Sequence, residues 1–179
     1  MMLWRKGFYW LGLVMITLLA CSFQTVFWFQ VLGHLSPPLL WLSIINYVIL
    51  ARKAPSSLFW VYLLIAVANF YSATSLGLFW LVIFLYYWAV VLVKKNFYME
   101  STSYFVLINF GGAFLFHILF WLASYLIETN PTQILPLDRM SQILLTPLFS
   151  IPMYYLLKKW ERFTKAPEIY MDTARYESE

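Results

Sequence analysis

Charge is scarce in this chain. Of 179 residues only 11% are Asp, Glu, Lys or Arg, against about 25% in a soluble domain, and the deficit excludes a water-facing globular fold. A single cysteine, Cys21, excludes an internal disulfide framework. The eight carboxylates (Glu100, Glu128, Asp138, Glu161, Glu168, Asp172, Glu177 and Glu179) read as loop or tail residues, and no Lys or Arg sits in the middle of a long apolar run. Ion-coupled transporters and proton pumps normally keep an ionisable group at mid-membrane, so neither is expected. Acid–base catalysis needs a positioned pair of titratable groups, and nucleophilic catalysis needs a serine or cysteine with its base. The sequence orients no such pair, and it has no metal-ligand cluster and no phosphate-cradling glycine loop. Hence no enzyme, cofactor or metal site is expected.

What the chain does have is apolar surface. Apolar residues make up 63% and aromatic residues 21%, and the mean hydropathy is +0.73. Phe and Trp suit lipid-facing helix surfaces, and Trp and Tyr suit the headgroup level. At 1.5 Å rise per residue, about 20 apolar residues cross the hydrocarbon core. Six runs qualify as candidates, at roughly 8–32, 37–51, 56–72, 77–93, 103–127 and 140–157, the second and third being short. The expected fold is an all-α integral membrane protein: six transmembrane helices in one bundle over residues 1–160, then a short cytoplasmic tail at 161–179. Pro37 and Pro38 suit the first turn of the second helix, Ser56 or Ser57 could cap the third, and Pro147 and Pro152 predict a kink in the sixth.

The basic residues orient these runs. Arg5 and Lys6 precede the first, Arg52 and Lys53 follow the second, Lys94 and Lys95 follow the fourth, and Lys158, Lys159, Arg162, Lys165 and Arg175 follow the sixth. Only Arg139 falls on the other side. The positive-inside rule then places both termini of this multi-pass membrane protein in the cytoplasm. It also accounts for the net charge of +4 without invoking nucleic acid. The "LLAC" ending at Cys21 loosely resembles a lipoprotein signal, but the apolar run continues well past it, beyond the length of a signal h-region. The run is expected to be kept as a helix. In the exported loop 128–139, Asn130-Pro131-Thr132 is not a glycosylation acceptor, because proline holds the middle position.

Polar side chains in lipid tend to face protein, and helical spacing shows where. Thr17, Cys21, Gln24 and Trp28 make a stripe in the first run, Tyr62, Ala66, Asn69 and Ala73 in the third, and Asn109, Ala113, His117 and Ser124 in the fifth. Gln142, Thr146, Ser150 and Tyr154 do so in the sixth, and the second run adds Ser43 and Asn46. The fourth run shows no stripe, which predicts a peripheral helix largely in lipid. Gly111 and Gly112 would permit close helix approach. These stripes read either as helix–helix adhesion or as the lining of a small internal pocket.

Between the third and fourth runs stands "NFYSATSLG", residues 69–77. It resembles a pattern of the MreD family, Asp-x-x-Ser-Gly-x-x-x-Gly, with Ser72 and Gly77 matching, Asn69 in place of aspartate and Ala73 in place of glycine. The proline-led second run ending in Arg52-Lys53, and the proline-containing last run followed by basic residues, are similar to that family too. The resemblance implies a non-catalytic membrane scaffold of the cell-wall elongation machinery that helps organise peptidoglycan synthesis and rod cell shape. It implies a partner of the MreC kind, single-span with a coiled coil, and association, direct or indirect, with the RodA–transpeptidase synthase and the MreB filament. Membrane lipids surround it. The fold implied is similar to the vitamin-binding subunit of energy-coupling-factor transporters. Such a subunit is itself the rival reading, weakened because the first run lacks an Ala-x-x-x-Ala spacing. Candidate partner-contact or pocket residues are Asn69, Ser72, Thr74, Ser75, Gly77, Asn46, Asn109 and His117.

Overall fold

The computed structural model describes residues 2–33, 35–52, 56–72, 74–96, 101–129 and 136–164. Lys53, Ala73, Glu100, residues 130–135 of the 128–139 loop and the tail from Lys165 onward, all named above, lie outside the described residues. The described chain is helical throughout. α1 (Met2–Ser22), a π-helical turn (Phe23–Phe27) and α2 (Trp28–Leu32) run as one rod. After them come α3 (Leu40–Ala51), α4 (Ser56–Asn69), α5 (Leu76–Asn96), α6 (Thr102–Ile127) and α7 (Pro136–Thr164). Four rods are long and apolar enough to cross a membrane: Gly7–Leu32, Leu76–Lys95, Thr102–Ile127 and Leu137–Thr164. α3 and α4, with 12 and 14 residues, measure only about 18 and 21 Å.

Side-chain bonds between rods fix their alternation. At one face, here the upper, Trp28 Nε1 donates to Leu35 O at 2.8 Å and the Ser22 and Tyr71 hydroxyls meet at 3.0 Å. At the lower face, Tyr47 donates to the Glu161 carboxylate, Trp160 Nε1 donates to Tyr9 O at 3.2 Å, and Trp10 stacks on Trp60 with centroids 3.6 Å apart. Gly12 permits that closure, since a Cβ there would overlap the Trp160 ring. Each rod therefore runs antiparallel to the next.

α3 is the shortest of the six rods and the most deeply placed. Every residue from Leu40 to Ile49 is buried, and α3 packs against each of the other rods. A helix apolar on all sides needs apolar neighbours on all sides, and "LWLSIINYVIL" has no charged face to offer water. The outer rods instead show Phe59, Trp80, Phe84, Trp88, Phe114, Trp121 and Leu148 outward, as lipid-facing helices do.

Four expectations are corrected. Pro37 and Pro38 do not open α3; residues 36–39 are non-helical and the helix starts at Leu40, since Pro37 and Pro38 push the residues before them out of the helical region. Of the two candidate caps Ser56 and Ser57, Ser57 instead reaches across to the Tyr87 hydroxyl at 2.8 Å. On α4 the buried stripe is Ser57, Val61, Leu64, Ile65 and Ala68, while Tyr62, Ala66 and Asn69 lie half-buried at its edge. α7 continues through Pro147 and Pro152 and takes Asp138 and Glu161 into the helix rather than leaving them in loops.

Candidate functional site

Three separate places hold the residues singled out from sequence. The first is at the centre. Asn46 of α3 is fully buried and donates from Nδ2 to Asn109 Oδ1 of α6 at 3.1 Å. Its own Oδ1 accepts from the Tyr86 hydroxyl of α5 at 2.6 Å, and Asn109 Nδ2 closes the chain on Phe105 O at 2.8 Å. Three helices are thus joined by side chains that satisfy one another, as buried polar groups must be. Gly112 makes room, because a Cβ there would overlap the Tyr86 hydroxyl. Gly111, its neighbour, faces open space. The expectation of close approach thus holds at Gly112 alone.

Tyr86 was not among the candidates, and it corrects the picture of α5 as polar-free. Tyr86 and Tyr87 are both fully buried, one bonded to Asn46 and the other to Ser57. A tyrosine pair in an apolar run counts as hydrophobic in any periodicity scan, which hides its hydroxyls. Only the ban on unpartnered buried hydroxyls could have flagged it.

The second place gives the first-run and last-run stripes their role. Thr17, Cys21, Gln24 and Trp28 are all buried, as are Thr146 and Ser150. Gln24 Nε2 donates to Pro38 O, and Leu39 N donates to Thr146 Oγ1 at 2.9 Å. With the Trp28 bond to Leu35 O, three side chains from two rods hold the non-helical stretch 35–39. Non-helical backbone inside a bundle needs such partners, because no water supplies them. The π turn begins one residue before Gln24 and is closed by Trp28 N donating to Phe23 O; π bulges of this kind reorient side chains locally.

The third place is the 69–77 turn on the upper face. α4 ends at Asn69, and Ser72 N donates back to Asn69 O at 3.0 Å. Ser72 Oγ donates to Thr74 Oγ1 at 2.9 Å and accepts from Thr74 N at 3.1 Å. Ser75 O accepts from Phe79 N at 3.1 Å, opening α5. Ser72, Ser75 and Gly77 are exposed, and a Cβ on Gly77 would meet nothing. Asn69 Oδ1 is buried and finds no partner among the described residues. Among the described residues, the side-chain bond between Tyr71 and Ser22 ties the turn to the first rod.

His117 joins none of these. It lines a lateral pocket of about 160 Å³ between α6 and α7 with Phe114, Ile118, Phe120, Trp121, Arg139 and Ile143. Its Nε2 is buried without a partner among the described residues. A second lateral groove, about 280 Å³, runs between α5 and α6 along Ala89, Val93, Leu107, Gly111 and Leu115. Among the described residues no three His, Cys, Asp or Glu side chains group as metal ligands.

No family model, curated protein or solved structure matches this chain.

Proposed function

We propose that this chain is a non-catalytic membrane scaffold of a bacterial cell-wall elongation complex, of the MreD kind, that binds the membrane helix of an MreC-like partner. Through that partner it would help position the RodA–transpeptidase synthase and the MreB filament. The observation that carries the reading is the 69–77 stretch. Its Ser72 and Gly77 match the family pattern, and it forms the turn between two antiparallel helices, where that pattern belongs. The interior supports the reading: Asn46, Asn109 and Tyr86 are spent on one another, which favours adhesion over a ligand pocket. The apolar groove beside Gly111 offers a partner helix a place to lie.

The same proposal holds six membrane crossings with both termini in the cytoplasm of an inner membrane. α3, at roughly 18 Å, is shorter than the roughly 30 Å of a hydrocarbon core, and the non-helical residues 35–39 before it lengthen that crossing. A reporter fused after Glu179 is expected to read as cytoplasmic.

Co-purification from native membrane tests the function. Recovery of a single-span coiled-coil protein is expected, reduced by Asn69→Leu or by filling the groove with Gly111→Leu. Recovery of a vitamin together with transporter ATPases, and no such protein, would overturn the scaffold in favour of an energy-coupling-factor substrate subunit.

A further inference from the structure

The pocket between α6 and α7 combines features that the scaffold reading leaves unused. Arg139 is the one basic residue away from the basic clusters of the sequence. It is half-buried at the pocket, and its one hydrogen bond among the described residues runs from Nη1 to the neutral Gln142 Oε1 at 3.1 Å. Asp138 precedes it on α7 and acts on it electrostatically. His117 adds a buried Nε2 with no partner among the described residues. Around these two stand Phe114, Ile118, Phe120, Trp121 and Ile143.

The helix directions order these groups by depth. α6 rises toward the upper face and α7 descends from it, so Arg139 and Trp121 lie nearest that face. His117 and Ile143 are one turn deeper, and Phe114 is deeper still. A cation above a buried imidazole nitrogen, above an apolar wall, is the complement of an amphiphile with an anionic head, a polar neck and a hydrocarbon chain.

We propose that this pocket binds one anionic glycerophospholipid of the upper leaflet. The Arg139 guanidinium pairs with the phosphate, for which its planar fork is suited. His117, in its Nε2–H tautomer, donates to an ester carbonyl below the phosphate, which satisfies the orphan nitrogen. One acyl chain lies against Ile118 and Phe114. The cavity of about 160 Å³ is close to the roughly 150 Å³ that accommodates a benzene ring, so it takes a stretch of one chain while the rest stays in the bilayer.

The site is tested on the full chain in detergent by native mass spectrometry, titrating phosphatidylglycerol against phosphatidylcholine of the same acyl composition. The wild-type protein is expected to retain one phosphatidylglycerol at least about tenfold better, the order of one charge-assisted pair. Arg139→Gln is expected to abolish that preference while residual phosphatidylcholine binding stays unchanged. Ile118→Trp, which fills the wall, is expected to weaken both lipids. Equal retention of the two lipids by the wild-type protein, a comparison that needs no variant to fold, overturns the proposal. So does a preference that survives Arg139→Gln. Displacement of bound phosphatidylglycerol by millimolar inorganic phosphate would show a headgroup-only anion site and likewise overturn the lipid assignment.

Discussion

The central Asn46–Tyr86–Asn109 cluster and the 69–77 turn are both polar islands in an apolar chain, and they use their polarity differently. In the centre the bonds of Asn46 to Asn109 and Tyr86 cross between helices and join α3, α5 and α6. In the turn the bonds run between residues a few places apart, Ser72 to Asn69 and Thr74, and do little to hold the bundle. The same contrast separates two glycines. Gly112 stands where a methyl group would displace the Tyr86 hydroxyl, and Gly77 stands where it would meet nothing. Polarity that joins helices should be costly to remove, and polarity that only closes a turn should not.

Substitutions can break that contrast, and the largest effect is expected at Asn46. Asn46→Leu leaves the Tyr86 hydroxyl without its acceptor and Asn109 Oδ1 without its donor, at about 1–3 kcal/mol for each stranded group. Thermal unfolding in detergent, followed by tryptophan fluorescence, should show the lowest midpoint of the series. Gly112→Ala comes next, at the roughly 1–3 kcal/mol of an overpacked core, read on the same melts; an unchanged midpoint would mean the Tyr86 side chain can move aside. Gln24→Leu removes one donor to the Pro38 carbonyl and leaves it with Leu40 N; the loss should cost about 1 kcal/mol, with faster amide exchange at residues 39–42. At the small end, Gly77→Ala should stay within about 0.5 kcal/mol of the parent. Asn69→Leu should not destabilise, because its Oδ1 is buried without a partner among the described residues. A fall in partner recovery with unchanged melting would then assign Asn69 to contact rather than packing, and a clear fall in its melting temperature would erase the contrast drawn here.

Much of the fold was legible because lipid imposes few solutions. Long apolar runs bounded by basic pairs had to become helices, and six helical rods are observed close to the expected positions. The stripe Thr17, Cys21, Gln24 and Trp28 was legible because polar groups in an apolar run seek protein, and all four are buried. Within the candidate site, Asn46 and Asn109 do meet, whereas His117 stands apart in a lateral pocket with Arg139. Periodicity gives the face of one helix, not which other helix will cover it. The α4 stripe failed for a related reason. Tyr62 and Asn69 were chosen as polar, but burial on α4 follows Val61, Leu64, Ile65 and Ala68, whose shapes fit between neighbouring rods.

By itself the sequence determined the material and the lengths: apolar helices, turns where polar residues cluster, and a charge asymmetry between the two ends. It also contained the pattern at 69–77 on which the functional proposal rests. Only the tertiary structure decided that the shortest rod, α3, sits at the centre, that Pro37 and Pro38 lead into it as non-helical backbone held by Gln24 and Thr146, and that two tyrosines of an apolar run complete the polar network. The physical reason is that burial and hydrogen-bond satisfaction are properties of pairs. A residue's partner lies on another helix, dozens of positions away, and is chosen only when all the rods pack at once.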